Sequence, residues 1–316
     1  MAKRKVENSD DDLEPPKKMI MCRYEHIAKH VVIQAPKEFT RDSDEMKLYR
    51  MASKPNREKA DFREKYCRHS KIGAGGFGLV YKGTRKCDGF RVAIKYIYNK
   101  DVKWKKVTCQ GEEFKINLEV ALMLKAAGLP ESAEKSAAVS LLDWYMTKRK
   151  TILVMERPRR CMNLGTYLTT RDEYPTELEA KVILKQLVDA AVDMHSKGVF
   201  HRDIKLENVL VDTVSGQPRV RVVDFGCGTF SSEATYQEFC GTWNIFPPEF
   251  FETGTYWAHP TTVWQLGALF YSVLQYVKSL LHMCLEKNPM KRIPLVLLQV
   301  HPTLTQVSSP LTSDSQ

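Results

Sequence analysis

The residues His201-Arg202-Asp203-Ile204-Lys205-Leu206-Glu207-Asn208, followed by Asp224-Phe225-Gly226, carry groups suited to moving a phosphoryl group. Transfer of phosphate to a hydroxyl needs a carboxylate to take the hydroxyl proton, oxygen ligands for a divalent cation, and cations beside the moving charge. Asp203 fits the first role. Asn208 and Asp224 offer hard oxygens matched to Mg²⁺, and Lys205, two residues after Asp203, fits the third role. Upstream, Ile72-Gly73-Ala74-Gly75-Gly76-Phe77-Gly78-Leu79-Val80 sets Gly73, Gly75 and Gly78 at the spacing GxGxxG, where bare backbone amides can approach phosphate oxygens. A dinucleotide site needs a helix directly after such a run. Here the β-like Val80-Tyr81-Lys82-Gly83 follows, which predicts a hairpin folding over a nucleotide. In the strand Val92-Ala93-Ile94-Lys95, Ala93 and Lys95 share one face. An inward lysine needs an anionic partner: a phosphate, or the carboxylate of Glu119 in the helical stretch 117–126, with Glu112 and Glu113 as competing choices. Taken singly, a glycine run recurs by chance, a His-Arg-Asp is usually a solvated loop and a strand lysine snorkels. The ordered set is what carries weight.

That set resembles the protein kinase signature, over residues 62–305. The resemblance implies an α+β, two-lobed protein kinase fold with ATP and Mg²⁺ in the cleft. A small β-rich N-lobe (62–155) would be joined by a hinge (156–158) to a larger, mainly helical C-lobe (159–305). It implies that Ile72, Gly73, Ala74, Gly75, Gly76, Phe77, Gly78, Leu79, Val80, Ala93, Lys95, Glu156 and Leu210 bind the nucleotide. It also implies that Lys95 pairs with Glu119, that Asp203 is the base, that Lys205 steadies the γ-phosphate, and that Asn208 and Asp224 hold the metal. Lys205 together with Thr242 in Cys240-Gly241-Thr242 looks like the serine/threonine class. Pro247-Pro248-Glu249 resembles the end of the activation segment, whose glutamate pairs in the family with an arginine at the position of Arg292.

A closer match is to the Pim family. Glu156-Arg157-Pro158 is similar to its hinge, where proline lacks the N–H offered to adenine. Leu141-Leu142-Asp143-Trp144 and Val263-Trp264-Gln265-Leu266-Gly267 also look Pim-like. This implies a monomeric kinase acting on serine and threonine hydroxyls of proteins, without a need for activating phosphorylation. Ser231, Ser232, Thr235 and Tyr236 are the activation-segment positions where a phosphate would meet Arg202. Pim kinases prefer arginine-rich substrates. Here Asn163, Thr166 and Leu206 stand at the acidic positions, Glu207 remains, and Arg159 and Arg160 flank the hinge. A basic peptide would meet fewer favourable charges.

The elements that must position these residues follow from pattern. Val92 to Ile97 and Thr151 to Met155 read as strands. After Pro175, Thr176 and Glu179 form a capping-box pattern; Ile183, Leu187 and Ala191 share a helical face, and Gly198 supplies a stop. The run from Val263 to Val277 is apolar nearly all round, which predicts a buried helix. Strands first and helices later predict a β-rich lobe before a helical one. After Tyr271-Ser272-Val273-Leu274 the chain goes almost directly to Lys278-Ser279-Leu280-Leu281. Kinases place a loop and another helix there, so the C-lobe is shortened. Its loss would expose apolar surface. It motivates an alternative from another class, a catalytically weak or silent ATP-binding, pseudokinase-type interaction module.

Composition frames the rest. The chain has 316 residues, 43% of them hydrophobic, which accommodates one large folded region flanked by an arm (1–61) and a tail (306–316), both expected to be disordered. The net charge is +10, yet nucleic-acid binding would rest on charge alone and ranks last. None of the 8 cysteines forms a CxxC pair, against a zinc site. No apolar leader opens the chain, and Val263 to Val277 is too short and too polar to span a bilayer. The expectation is a cytoplasmic protein, with Lys3-Arg4-Lys5 and Lys17-Lys18 as a split nuclear-import signal.

Overall fold

The computed structural model describes residues 41–56, 59–76, 78–128, 136–170, 175–214, 216–273 and 278–305. The basic clusters of the arm, Phe77, the tail at 306–316 and the end of the long apolar run (274–277) lie outside them.

Short β-rich segments build the first sheet. Its five antiparallel strands run in the order β1 (Tyr66–Gly75), β2 (Gly78–Arg85), β3 (Arg91–Tyr98), β7 (Lys150–Glu156) and β6 (Leu141–Met146). On β3, Val92 and Ile94 pack with Phe62, Tyr66 and Tyr145 in a small outer cluster. Ala93 and Ile97 instead join the main core. Lys95 is in phase with Ala93 and Ile97, so it too points inward. A second hairpin, β4 (Trp104–Cys109) with β5 (Glu112–Asn117), leads into helix α3 (Leu118–Ala127). Asn117 caps that helix, its side chain accepting from Val120 N.

Within the segment expected as an arm (1–61), the described residues from Arg41 onward are mostly helical. Helix α1 (Arg41–Ser53) and helix α2 (Lys59–Lys65) precede the sheet. Leu48, Tyr49 and Ala52 are buried in the main core, and Phe62 covers the outer face of the sheet. The Trp144 indole N–H donates to Met51 O at 2.9 Å, while Asp143 accepts from Asn56 at 2.9 Å and pairs with Lys65 at 2.7 Å. In α1 only Met46, Leu48, Tyr49, Met51 and Ala52 are apolar, so its periodicity is weak; tertiary partners hold it.

The second half is helical, as expected. Strand β8 (Cys161–Asn163) and helix α4 (Leu164–Thr169) precede α5 (Glu177–Ser196). In α5 the predicted capping box forms in both directions between Thr176 and Glu179, and Gly198 lies at φ +70° just past the end. Ile183, Leu187 and Ala191 are buried. Strands β9 (Val199–Phe200), β10 (Val209–Asp212), β11 (Arg219–Val222) and β12 (Thr229–Phe230) frame the motif loops; β10 lies between β11 and β8, and β12 pairs with β9. Helix α6 (Pro248–Thr253) is followed by α7 (Ala258–Val273), the predicted buried helix. Four residues later comes α8 (Lys278–Cys284), then α9 (Leu295–Gln299) and α10 (Pro302–Thr305). Helix α8 returns tightly onto α7: a Cβ at Gly267 would stand 2.7 Å from the Cys284 Cβ. The expected α+β arrangement, a β-rich lobe followed by a mainly helical one, is therefore what the chain forms. Among the described residues, no helix is long and apolar enough to cross a membrane.

Candidate active site

The glycine run closes as a hairpin. Ile72, Gly73, Ala74 and Gly75 end β1, and Gly78, Leu79 and Val80 open β2, with Gly75 opposite Gly78. Gly76 lies in the turn beside Phe77. Gly78 has φ +127°, and a Cβ there would run into Tyr96 O, so only glycine fits.

Lys95 stands opposite Val80 on the neighbouring strand. Its Nζ is 2.6 Å from Glu119 Oε1 and 2.7 Å from Asp224 Oδ1, with its residue only 3% exposed. One cation thus ties the sheet, helix α3 and the Asp224 loop together. Burial works against a charged Lys95, but Glu119 and Asp224 outweigh it and hold the ammonium above its ordinary range. Burial raises Glu119, with Lys95 opposing. It would raise Asp224 too, but Lys95 and the Gly226 N–H prevail and lower it. Glu112 and Glu113 lie exposed on β5, so Glu119 is the partner.

The Asp203 loop is held from all sides. Asp203 Oδ1 accepts from the Thr242 hydroxyl at 2.6 Å. Its Oδ2 lies 2.9 Å from Lys205 Nζ and 3.0 Å from Asn208 Nδ2. Lys205 also donates to Thr242 Oγ1 at 2.6 Å. His201 contacts Val223 O through Nε2 at 3.0 Å and accepts the Asp203 N–H at Nδ1 at 3.3 Å. Burial lowers its pKa, and the neutral Nε2–H tautomer satisfies both contacts. Asp224 sits at φ +66°, a left-handed conformation, while Phe225 is buried beneath the His201 ring at 4.9 Å. Asn208 spends its Nδ2 on Asp203, which leaves Oδ1 for a cation. Among the described residues there is no cluster of three or more His, Cys, Asp or Glu. The Asn208–Asp224 pair therefore suits a hard ion that takes its remaining ligands from phosphates and water, the habit of Mg²⁺.

The hinge offers few donors. Glu156 N donates to Ser140 O at 3.0 Å, Arg157 N donates to Arg91 O at 3.2 Å, and Pro158 has none. The Glu156 carboxylate is committed to Arg221 and to Ser140 N. Ala93 and Leu210 are half-buried on β3 and β10.

Gln265 is the residue that sequence reasoning passed over. It interrupts an apolar run, yet it is 0% exposed, and its amide bridges the catalytic loop. Its Nε2 donates to Arg202 O at 2.7 Å, and its Oε1 accepts from Ile204 N at 3.2 Å. A lone amide inside an apolar helix was the available signal. Farther out, the expected Glu249–Arg292 pair is buried and bidentate, at 2.8 and 2.9 Å. Arg202 does not wait for a phosphate: it is buried, with Nε on Cys227 O at 2.6 Å. Ser232 and Thr235 are exposed.

The Protein kinase domain family model matches residues 66–278. The chain is 34% identical over 277 residues to the serine/threonine-protein kinase pim-2 of Danio rerio, covering 79% of this chain and 88% of that protein. It is 28% identical over 274 residues to the serine/threonine-protein kinase prk-2 of Caenorhabditis elegans, covering 78% of this chain and 59% of the relative. It is 30% identical over 213 residues to sperm motility kinase 2B of Mus musculus, of which it spans 40%.

Proposed function

Because the chain belongs to the protein kinase domain family, we propose that it is a Pim-like serine/threonine kinase that phosphorylates protein hydroxyls with Mg²⁺. The observation that supports this best is the Lys95 bridge, at 2.6 Å to Glu119 and 2.7 Å to Asp224, since it assembles three separate motifs around one charge. When bound, ATP supplies the phosphoryl group and Mg²⁺ neutralises its charge. Asp203 takes the proton of the acceptor hydroxyl; Thr242, Lys205 and Asn208 fix both of its oxygens in place. Lys205 sets a positive charge where negative charge shifts during transfer. The β1–β2 hairpin, Ala93 and Leu210 would enclose the nucleotide, and Asn208 Oδ1 and Asp224 would hold the metal. With the Glu156 and Arg157 amides engaged, recognition of adenine leans on apolar contact more than on hinge donors.

Substrates are proteins bearing serine or threonine, met by a monomer in the cytoplasm. Basic peptides are only weakly favoured. Asn163 is spent on capping α4, accepting from Thr166 N at 2.7 Å, whereas Arg159 and Arg160 are exposed beside the hinge. A cavity of about 230 Å³ lined by Lys205, Leu206, Glu207, Thr242 and Ile245 adjoins Asp203 and suits residues flanking the acceptor.

The test is γ-phosphate transfer from Mg-ATP to a degenerate serine/threonine peptide library, with Asp203→Asn alongside. Transfer that vanishes in the variant while ATP affinity persists supports the reading; equal turnover by Asp203→Asn would refute it. One observation favours a second reading, a silent ATP-binding module: only four residues separate α7 from α8. Folded protein that binds ATP without transferring phosphate would put that reading first.

A further inference from the structure

Lys103 joins the two halves of the site through different atoms. It lies between β3 and β4, and its carbonyl accepts from Leu118 N, the first amide of α3, at 2.9 Å. That helix carries Glu119, the partner of Lys95. The Lys103 side chain reaches the activation segment instead. Its Nζ donates to Cys240 Sγ at 3.4 Å and stands 3.7 Å from Glu238 Oε1. Cys240 is buried, and the two residues after it set the catalytic loop. Gly241, at φ +141°, is pressed against Arg202 O, where a Cβ would stand 2.7 Å away. Thr242 donates to Asp203 Oδ1 and accepts from Lys205, both at 2.6 Å. Two more lysines hold the other end of the segment. Lys105 of β4 and Lys125 of α3 lie 4.8 and 5.8 Å from the centre of the Phe230 ring. Arg202, by contrast, is buried on the carbonyls of Cys227 and Gly228.

We propose that Lys103 is a positioning residue for phosphoryl transfer: its side chain clamps Cys240 and so, through Thr242, sets the Asp203 carboxylate, while its carbonyl holds the helix that presents Glu119. The strength of the clamp lies in the ammonium-to-sulfur bond. At the low end of charge-assisted hydrogen bonds, its loss makes local opening about tenfold easier. The Glu238 pair adds little, because that carboxylate is 73% exposed. Replacing the side chain alone separates the two functions. The carbonyl remains, so α3 and the Lys95–Glu119 pair keep their places. The segment from Cys240 to Thr242 loosens, and Asp203 Oδ1 loses its fixed donor. The effect on rate rests on the kinase reading above; the clamp itself does not.

The test compares the full chain with Lys103→Met, which keeps the length of the side chain and removes its charge. The Lys103 side chain is 40% exposed, so the variant folds, with a melting temperature lower by no more than about 4 °C. Hydrogen–deuterium exchange reads the clamp without any phosphoryl transfer. The amides of Ile245 and Phe246, bonded to Thr242 O and Trp243 O, should exchange about tenfold faster in the variant, with those of α3 unchanged. Unchanged exchange at 245 and 246 overturns the proposal whether or not the protein is a kinase. Faster exchange in a protein that transfers no phosphate supports the clamp and refutes only the kinase reading. Peptide phosphorylation is the second readout. In Lys103→Met, kcat falls about tenfold while the KM for ATP stays, and Lys103→Arg, which keeps a cation in reach, restores about half of the rate or more. Cys240→Ala removes the acceptor and gives the same loss, and the double variant loses no more than either alone. Losses that multiply in the double variant, or that Lys103→Arg does not restore, refute the clamp.

Discussion

Replacing Gln265 with leucine tests whether one buried amide sets the shape of the catalytic loop. The side chain is fully buried on α7 and makes two bonds to backbone groups flanking Asp203, to Arg202 O at 2.7 Å and to Ile204 N at 3.2 Å. Leucine has nearly the same volume, so little cavity forms. The Ile204 N–H and the Arg202 C=O are left buried without their partner, each costing about 1–3 kcal/mol. Removing a buried amide recovers roughly 1 kcal/mol of desolvation, which leaves a net loss of ~1–5 kcal/mol. For a domain of this size that lowers the melting temperature by about 2–20 °C. Arg202 sits at φ +65°, a conformation a non-glycine residue holds only when its surroundings impose it. Without the amide, the loop relaxes and Asp203 shifts. The expected result is a drop of roughly 10–10² in kcat, with little change in the KM for ATP, because the Lys95 bridge is untouched. Thermal unfolding and peptide phosphorylation measure both effects. A leucine variant with unchanged melting temperature and kcat would refute the reasoning.

Arg292→Met leaves the Glu249 carboxylate buried without its bidentate partner, and urea unfolding should show a loss of about 3–5 kcal/mol. Tyr49→Ala removes a buried ring of α1 from beside Phe114, at 6.3 Å between centroids, and costs ~3 kcal/mol; since α1 packs on α3, which carries Glu119, the KM for ATP should rise as well. The third prediction concerns pH. Burial, with His259 beside it, lowers His195 to about 3. A depressed folded value means that the unfolded chain binds the extra proton, so this stability is complete above roughly pH 6.5. It is lost as pH falls toward the folded value, by about 1.4 kcal/mol per unit. Urea midpoints measured from pH 7 to 4.5 should therefore decline. A midpoint that stays flat across that interval would show that His195 is solvated in the native state.

The site was largely legible because phosphoryl transfer restricts residue type and order. Lys95, Asp203, Lys205, Asn208 and Asp224 cannot be exchanged freely without changing the charges at the reaction centre. Thr242 and the Glu249–Arg292 pair were readable only through the resemblance to the kinase family. Between Glu119 and its neighbours Glu112 and Glu113, periodicity left the choice open; only the packing of α3 turned one of the three carboxylates toward Lys95. The role of Gln265 was not legible, because its partners Arg202 and Ile204 lie far away along the chain and a lone amide in an apolar run does not say what it meets.

The same division runs through the fold. The β-rich composition of Val92 to Ile97 and the capping box at Thr176 and Glu179 specified β3 and α5 from local chemistry, since each signal lies within one element. The segment 41–65 is the counterexample. It folds because Trp144 and Asp143 lie where Met51, Asn56 and Lys65 can reach them, and because the core has room for Leu48, Tyr49 and Ala52. Local sequence by itself determined elements such as β3 and α5 and the chemistry of the catalytic motifs. Tertiary structure alone decided which carboxylate meets Lys95, which amide braces the Asp203 loop and that residues 41–65 fold as helices. Those choices depend on burial and on contacts between residues distant in sequence, which no local periodicity encodes.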